Sequence, residues 1–210
     1  MIRLLLVDDH PVVRAGYRHL LEQAGDMRVV AQAADAEAGL ALYAGHAPDL
    51  TITDLSMPGS SGLELIRRLC ARFPHARTLV FSMHDSDVLV RRALEAGALG
   101  FVSKCSAPES LIEAVHAAMS GRRFLSPGLS PDLLRRAAPP PFRSLTEREF
   151  ELFRLLSRGE SPADCARSLH LSRKTVSNLQ SLIKEKLGTC TTAGMAHLAL
   201  RHGLIQGEAC

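Results

Sequence analysis

The sequence predicts an α/β domain built on a parallel five-stranded sheet, followed by an all-α unit of four helices. Three observations predict it. Short apolar runs, among them residues 4–7, 50–53, 79–81 and 101–103, recur between stretches of helical periodicity. The side chains able to do chemistry, Asp8-Asp9, Asp54, Ser82 and Lys104, stand at the ends of those runs. That is where open α/β sheets place their sites. Beyond residue 142 the strand signal stops, and each later segment opens on a helix N-cap signature.

In the first unit, a strand over residues 2–7 leads through a loop at 8–11 into a helix through Leu21. That helix turns Val12, Val13, Tyr17, Leu20 and Leu21 toward the sheet and has Gly25 as its stop. Residues 28–31 make a second strand, and Asp35 caps a helix through Tyr43 that Gly45 closes. The β-branched run of residues 50–53 is the central strand; it ends at Asp54, and Pro58-Gly59 turn the chain into a loop. A helix over 62–72 stops at Phe73-Pro74, and a strand over 78–81 ends at Ser82. A helix over 87–96 stops at Gly97, and a strand over 99–103 ends at Lys104. Pro108 opens a helix to Ser120 that Gly121 closes. Five strands alternating with five helices give a doubly wound, flavodoxin-like (βα)5 sheet. Right-handed crossovers then bring every strand C-terminus to one edge.

Residues 122–142 change character, with four arginines against one acid and prolines at 127, 131, 139, 140 and 141. A short helix from Ser130-Pro131 through Ala137 and an extended Pro139 to Pro141 make this stretch a linker. The domains are therefore 1–121, 122–142 and 143–210. In the last, Thr146 and Glu149 form a capping box for a helix through Arg158. Ser161-Pro162 opens a helix through Leu169, Ser172 caps one from Arg173 to Leu187, and Thr192 starts the last, through Arg201. The second and third of these, joined by a tight turn, read as a helix-turn-helix, or else as two members of an ordinary four-helix bundle. Val176, Leu182, Ile183 and Leu187 form the apolar side of the 173–187 helix. Arg173, Lys174, Thr175, Ser177, Asn178, Gln180, Ser181 and Lys184 are left outside for phosphates and base edges.

Charge divides the same way. Residues 1–120 hold 11 Lys and Arg against 14 Asp and Glu, whereas residues 143–210 hold 10 against 7. An acidic front and a basic back fit a second unit with an anionic partner. No apolar run approaches the ~20 residues of a membrane span, and a signal-peptide layout is absent, so a cytoplasmic protein with reduced thiols is expected. Asp8, Asp9 and Asp54 at one sheet edge repel one another and call for a hard divalent cation with oxygen ligands, which suggests Mg2+. His10, beside them, reads as a helix-start residue. With the cluster neutralised, Asp54 can attack a phosphoryl donor, while Lys104 and Ser82 meet the new phosphoryl oxygens.

This constellation resembles the receiver domain of two-component response regulators over about the first 120 residues. The resemblance implies Asp54 as phosphoacceptor, and Asp8, Asp9, Asp54 and the backbone carbonyl of Ser56 as Mg2+ ligands. It also implies Ser82, Phe101 and Lys104 as the phosphate-sensing switch, with Ser82 and Phe101 turning inward on phosphorylation. The motifs L-T-E-R-E (residues 145–149), L-S-R-K-T-V-S-N (171–178), K-L-G (186–188) and R-H-G-L-I (201–205) resemble the LuxR-type DNA-binding domain. Cys165 and Leu179-Gln180 depart from its usual pattern. Together the two domains resemble the NarL/FixJ response regulators. This resemblance implies a transcriptional regulator, not an enzyme in the ordinary sense, phosphorylated by a sensor histidine kinase and dimeric when phosphorylated. It would bind double-stranded DNA through Arg173, Lys174, Thr175, Ser177, Asn178, Ser181 and Lys184. RNA polymerase is a further partner in reach, and no membrane is involved. A phosphatase with an aspartyl nucleophile is the alternative from another class. Its Asp-x-Asp pattern is met neither at Asp8-Asp9-His10 nor at Asp54-Leu55-Ser56. A receiver acting only as a dimerisation module is the other.

Overall fold

The computed structural model describes residues 1–134 and 142–205, which divide into two compact units. In the first, strands β1 (Ile2–Val7), β2 (Met27–Ala33), β3 (Leu50–Thr53), β4 (Thr78–Ser82), β5 (Gly100–Ser103) and β6 (Phe124–Leu125) form one sheet in the order β2-β1-β3-β4-β5-β6. Every pairing is parallel. The helices between them are α1 (Pro11–Gln23), α2 (Ala36–His46), α3 (Gly62–Arg72), α4 (Asp87–Ala96) and α5 (Glu109–Met119).

Alternation along β1 shows why the sheet is covered on both faces. Leu4 and Leu6 pack with Leu21 of α1 and Leu111, Ala114, Val115 and Ala118 of α5. Leu5 and Val7 point the other way, into Leu40 and Tyr43 of α2 and Leu65 and Leu69 of α3. A strand buried on both faces must be apolar throughout, and all four of these β1 residues are buried. At about 1.5–3 kcal/mol for each fully buried side chain, these four β1 residues together contribute on the order of 6–12 kcal/mol toward closing the sheet.

Several details differ from the sequence expectations. A sixth strand, β6, lies in the stretch expected to be linker and extends the sheet beyond β5. Val12 is 83% exposed and takes no part in the core, because the face of α1 that meets the sheet runs through Val13, Tyr17, Leu20 and Leu21. Helix α2 continues through Gly45 to His46, and Ala47 takes the left-handed position that ends it. The helix expected from Ser130-Pro131 is a 3-10 turn, Pro131–Leu134, within the described residues. Its continuation to Ala137 and the extended Pro139 to Pro141 lie outside them.

The second unit comprises α6 (Glu147–Ser157), α7 (Pro162–Ser168), α8 (Arg173–Leu187) and α9 (Thr192–Arg201), preceded by a 3-10 turn at Phe142–Ser144. Thr146 and Glu149 make the expected capping box, and Ser161, Ser172 and Thr191 cap the next three helices. Phe142, Phe150 and Phe153 pack ring on ring at its centre, with Phe142 and Phe153 centroids 5.3 Å apart. Among the described residues no helix is long and apolar enough to cross a membrane.

Candidate functional site: a carboxylate cluster at the sheet edge and an exposed helix face

The strand register builds the first site. Val7 pairs with Thr53, so Asp8 and Asp54 come side by side off adjacent strands, and the Asp54 amide donates to the Val7 carbonyl at 2.9 Å. Ser82 pairs with Ser103, and the Lys104 amide donates to the Ser82 carbonyl at 2.9 Å. The five sequence-predicted residues Asp8, Asp9, Asp54, Ser82 and Lys104 thus share one edge.

The chain beyond Asp54 turns sharply. Asp54 Oδ1 accepts from the Leu55 amide at 2.6 Å and the Ser56 amide at 3.2 Å, which fixes the carboxylate and leaves Oδ2 toward the site. The start of α3 then returns so close that a Cβ on Gly62 would stand 1.9 Å from the Asp54 carbonyl oxygen. Only glycine fits there.

Lys104 Nζ lies 2.7 Å from Asp54 Oδ2 and also bonds Asp8 Oδ2. Its side chain is 6% exposed. Burial alone would lower the Lys104 pKa, but the Asp54 and Asp8 carboxylates outweigh it and hold the ammonium above its ordinary value. The Phe81 ring lies 5.6 Å from the ammonium, and Tyr17 meets that ring edge-on. Asp8, Asp9, His10 and Asp54 each offer one ligand atom, all within 4.8 Å of one another. His10 also occupies the residue before α1, in keeping with a helix-start residue. A donor set dominated by carboxylate oxygen suits a hard divalent cation. Asp9 Oδ1 is buried without accepting a hydrogen bond among the described residues, although His10 Nδ1 stands 2.8 Å away. The residues fit a metal.

Of the switch residues, Ser82 and Phe101 are both buried, at 0% exposure. The sequence reading missed Arg14, whose guanidinium donates to the Asp8 carbonyl from one turn into α1, and Gly62. Arg14 lies less than two helical turns beyond the acidic pair, which was a usable signal. Gly62 had none, because its role depends on a contact across the chain.

In the second unit, α7 and α8 pack as a helix-turn-helix pair. Val176, Ile183 and Leu187 are buried, whereas Leu182 is 44% exposed. This corrects its placement on the apolar side. Leu182 stands four residues after Asn178 and shares its outward face, about 100° around from Ile183. Arg173, Lys174, Thr175, Ser177, Asn178 and Ser181 are exposed, and Lys184 and Gln180 are half-buried. The Thr175 hydroxyl is engaged with Ser172 at 2.8 Å, Ser181 donates to the Ser177 carbonyl at 3.2 Å, and Gln180 reaches Thr192 at 3.4 Å. Lys186 forms two bonds to Glu149, at 2.7 and 2.6 Å, and so ties α8 to the capping box of α6.

Comparison with known proteins agrees with both halves. Residues 4–116 match the response regulator receiver domain, and residues 143–199 match the bacterial regulatory proteins of the luxR family. The chain is 39% identical over 209 residues to the transcriptional activator protein ExaE of Pseudomonas putida, covering 97% of this chain and 98% of ExaE. It is 42% identical, with a TM-score of 0.59, to a LuxR-family two-component response regulator from an Aurantimonas species, over 64% of this chain and 94% of that one. It also resembles RcsB of Salmonella enterica serovar Typhimurium, solved bound to the rprA promoter with the phosphomimetic BeF3-. That match has 28% identity and a TM-score of 0.67, over 94% of this chain and 98% of RcsB. The chain belongs to the NarL/FixJ family of two-component response regulators, a receiver domain joined to a LuxR-type DNA-binding domain that regulates transcription.

Proposed function

We propose that Asp54 is the phosphoacceptor, that a sensor histidine kinase is its phosphodonor, and that phosphorylation controls DNA binding by the second unit. The observation that carries this is the Lys104 ammonium seated between the Asp54 and Asp8 carboxylates at the sheet edge. One Asp54 carboxylate oxygen forms the new bond to phosphorus, and the bond from phosphorus to the donor's leaving atom breaks. Lys104 would then leave the carboxylate for the phosphoryl oxygens, with the Ser82 hydroxyl as a further donor and Phe101 packed beside it. Asp8, Asp9, Asp54 and the Ser56 carbonyl would hold Mg2+, which offsets the charge of the attacking and phosphoryl oxygens.

In the second unit, Arg173, Lys174, Thr175, Ser177, Asn178, Ser181 and Lys184 would face double-stranded DNA, with α8 in the major groove. The active species would be a homodimer in the cytoplasm, where promoters and RNA polymerase are met. That RcsB was solved on a promoter with a phosphomimetic supports this reading. Domain limits of 1–121, 122–142 and 143–210 go with it, the first extended by the strand β6.

A small phosphodonor with Mg2+ tests the assignment. Wild type is expected to take up acid-labile phosphate at one position, Asp54→Ala none, and Asp9→Ala less. Labelling that persists on Asp54→Ala would sink it.

A further inference from the structure

The sixth strand joins the sheet beside the residues that carry Lys104. Phe124 pairs with Gly100 and Leu125 with Phe101, and the Phe124 amide donates to the Leu99 carbonyl at 3.2 Å. A two-residue strand offers few bonds, and the next residue, Ser126, extends the ladder. Its amide donates to the Phe101 carbonyl at 3.0 Å. Its hydroxyl accepts from the Ser103 amide at 2.6 Å and lies 3.3 Å from the Phe101 carbonyl, where it donates. A side chain here stands in for a backbone carbonyl, and it is buried, at 2% exposure.

Gly100 supplies an independent observation. A Cβ at this position would stand 2.5 Å from the Phe124 carbonyl oxygen and 2.9 Å from Leu79 Cδ1. The close approach of β6 therefore depends on glycine in β5. Residues 103–104 are consequently held from two sides, by the Ser82 carbonyl on the β4 side and by Ser126 on the other. Ser126 is also where the chain leaves the sheet toward the second unit.

We propose that Ser126 is a positioning residue for the Asp54 site. Its hydroxyl fixes the backbone from which the Lys104 ammonium reaches Asp54, and through that bond the occupancy of Asp54 acts on the first residues of the connecting segment. This rests on the reading of Asp54 as phosphoacceptor. Without the hydroxyl, the buried Ser103 amide loses its acceptor and the end of β5 relaxes, so Lys104 meets the phosphoryl oxygens less well.

The test uses the full chain, with beryllofluoride and Mg2+ as the phosphoryl mimic. Fluorine NMR reads binding at Asp54, and hydrogen exchange reads the amides of residues 103 and 124–126. In wild type the mimic is expected to slow exchange at those amides. Ser126→Ala should bind the mimic about tenfold more weakly and lose the exchange response, while exchange in β1 and β3 stays as in wild type. Ser126→Thr, which keeps the hydroxyl, should restore both. Gly100→Ala, which pushes β6 away without touching Ser126, should reproduce the Ser126→Ala exchange pattern. A Ser126→Ala protein with unchanged affinity and an intact exchange response would overturn the proposal, as would a wild type whose 124–126 amides ignore the mimic. If wild type binds the mimic no better than Asp54→Ala, the phosphoacceptor reading falls and takes this one with it.

Discussion

A missing methyl group at position 62 decides whether Asp54 can stand where it does. Because a Cβ there would lie 1.9 Å from the Asp54 carbonyl oxygen, Gly62→Ala must move either α3 or the end of β3. We expect it to lower stability by about 3 kcal/mol in urea unfolding and to reduce phosphoryl uptake at Asp54 as well. An alanine with neither effect would show that the loop yields freely. Lys104 makes a second prediction at this scale. Its folded-state pKa is raised, so its contribution is fully present below the unfolded value near 10.5 and is lost only as pH rises through the folded one. Stability from this pair should therefore be flat across neutral pH. Lys104→Met leaves the Asp8 and Asp54 carboxylates buried without their cation, a loss of about 3 kcal/mol. Saturating Mg2+ should recover much of that, so the melting temperature of the variant should respond to magnesium more than that of wild type. Equal responses would mean that the metal does not share the pocket with the ammonium.

Among the elements, α8 is held by chemistry that its own periodicity does not reveal. Lys186 bonds both oxygens of Glu149, and Glu149 simultaneously accepts the Thr146 amide at 2.7 Å. Burial alone would raise the Glu149 pKa, but the bonds from Lys186 and Thr146 outweigh it and hold the carboxyl below its ordinary 4.5. A depressed carboxylate contributes stability above the unfolded value and loses it as pH falls through the folded one. Protection of α8 in hydrogen exchange should therefore drop below about pH 4.5, and Lys186→Met should lower it at neutral pH by about 2 kcal/mol. An α8 as protected in Lys186→Met as in wild type would remove the clamp. The expected strands and helices were legible where local chemistry decides them. Ser161 and Ser172 cap as their spacing requires, and helices 62–72, 87–96 and 173–187 have the expected bounds. What escaped was set by partners distant in the chain. Leu182 and Ile183 are equally apolar, and only packing chooses which one turns inward. Val12 lies a step off the face that meets the sheet. Phe124 and Leu125 are too short a run to read as a strand until Gly100 is known to lie opposite. The meeting of Asp8, Asp9 and Asp54, by contrast, was readable, because a parallel sheet collects strand ends at one edge, while the place of His10 among them was not.

For the molecule as a whole, the proposed function links a charge at Asp54 to a change in DNA affinity. One helix-turn-helix presents a short face with few groups, so strong discrimination requires two copies on adjacent half-sites, the second binding almost intramolecularly. Phosphorylation that favours the dimer would then act on affinity through that second event, and beryllofluoride with Mg2+ should tighten binding by wild type but not by Asp54→Ala. The side chains on α8 should divide by what they touch. Lys174 is exposed and offers a single point charge suited to a phosphate, so Lys174→Ala should weaken cognate and scrambled duplexes alike and flatten the salt dependence by about one unit of slope. Asn178, exposed at the middle of the outward face, can pair with adenine through both ends of its amide. Asn178→Ala should cost about 1–3 kcal/mol on the cognate site and little on scrambled DNA. Titrations of both variants on both duplexes, at several salt concentrations and with the phosphomimetic present, separate the two roles. Equal losses on the two duplexes for Asn178→Ala would assign it to the backbone, and recognition would then have to come from its neighbours on the same face, Ser177, Ser181 and the exposed Leu182.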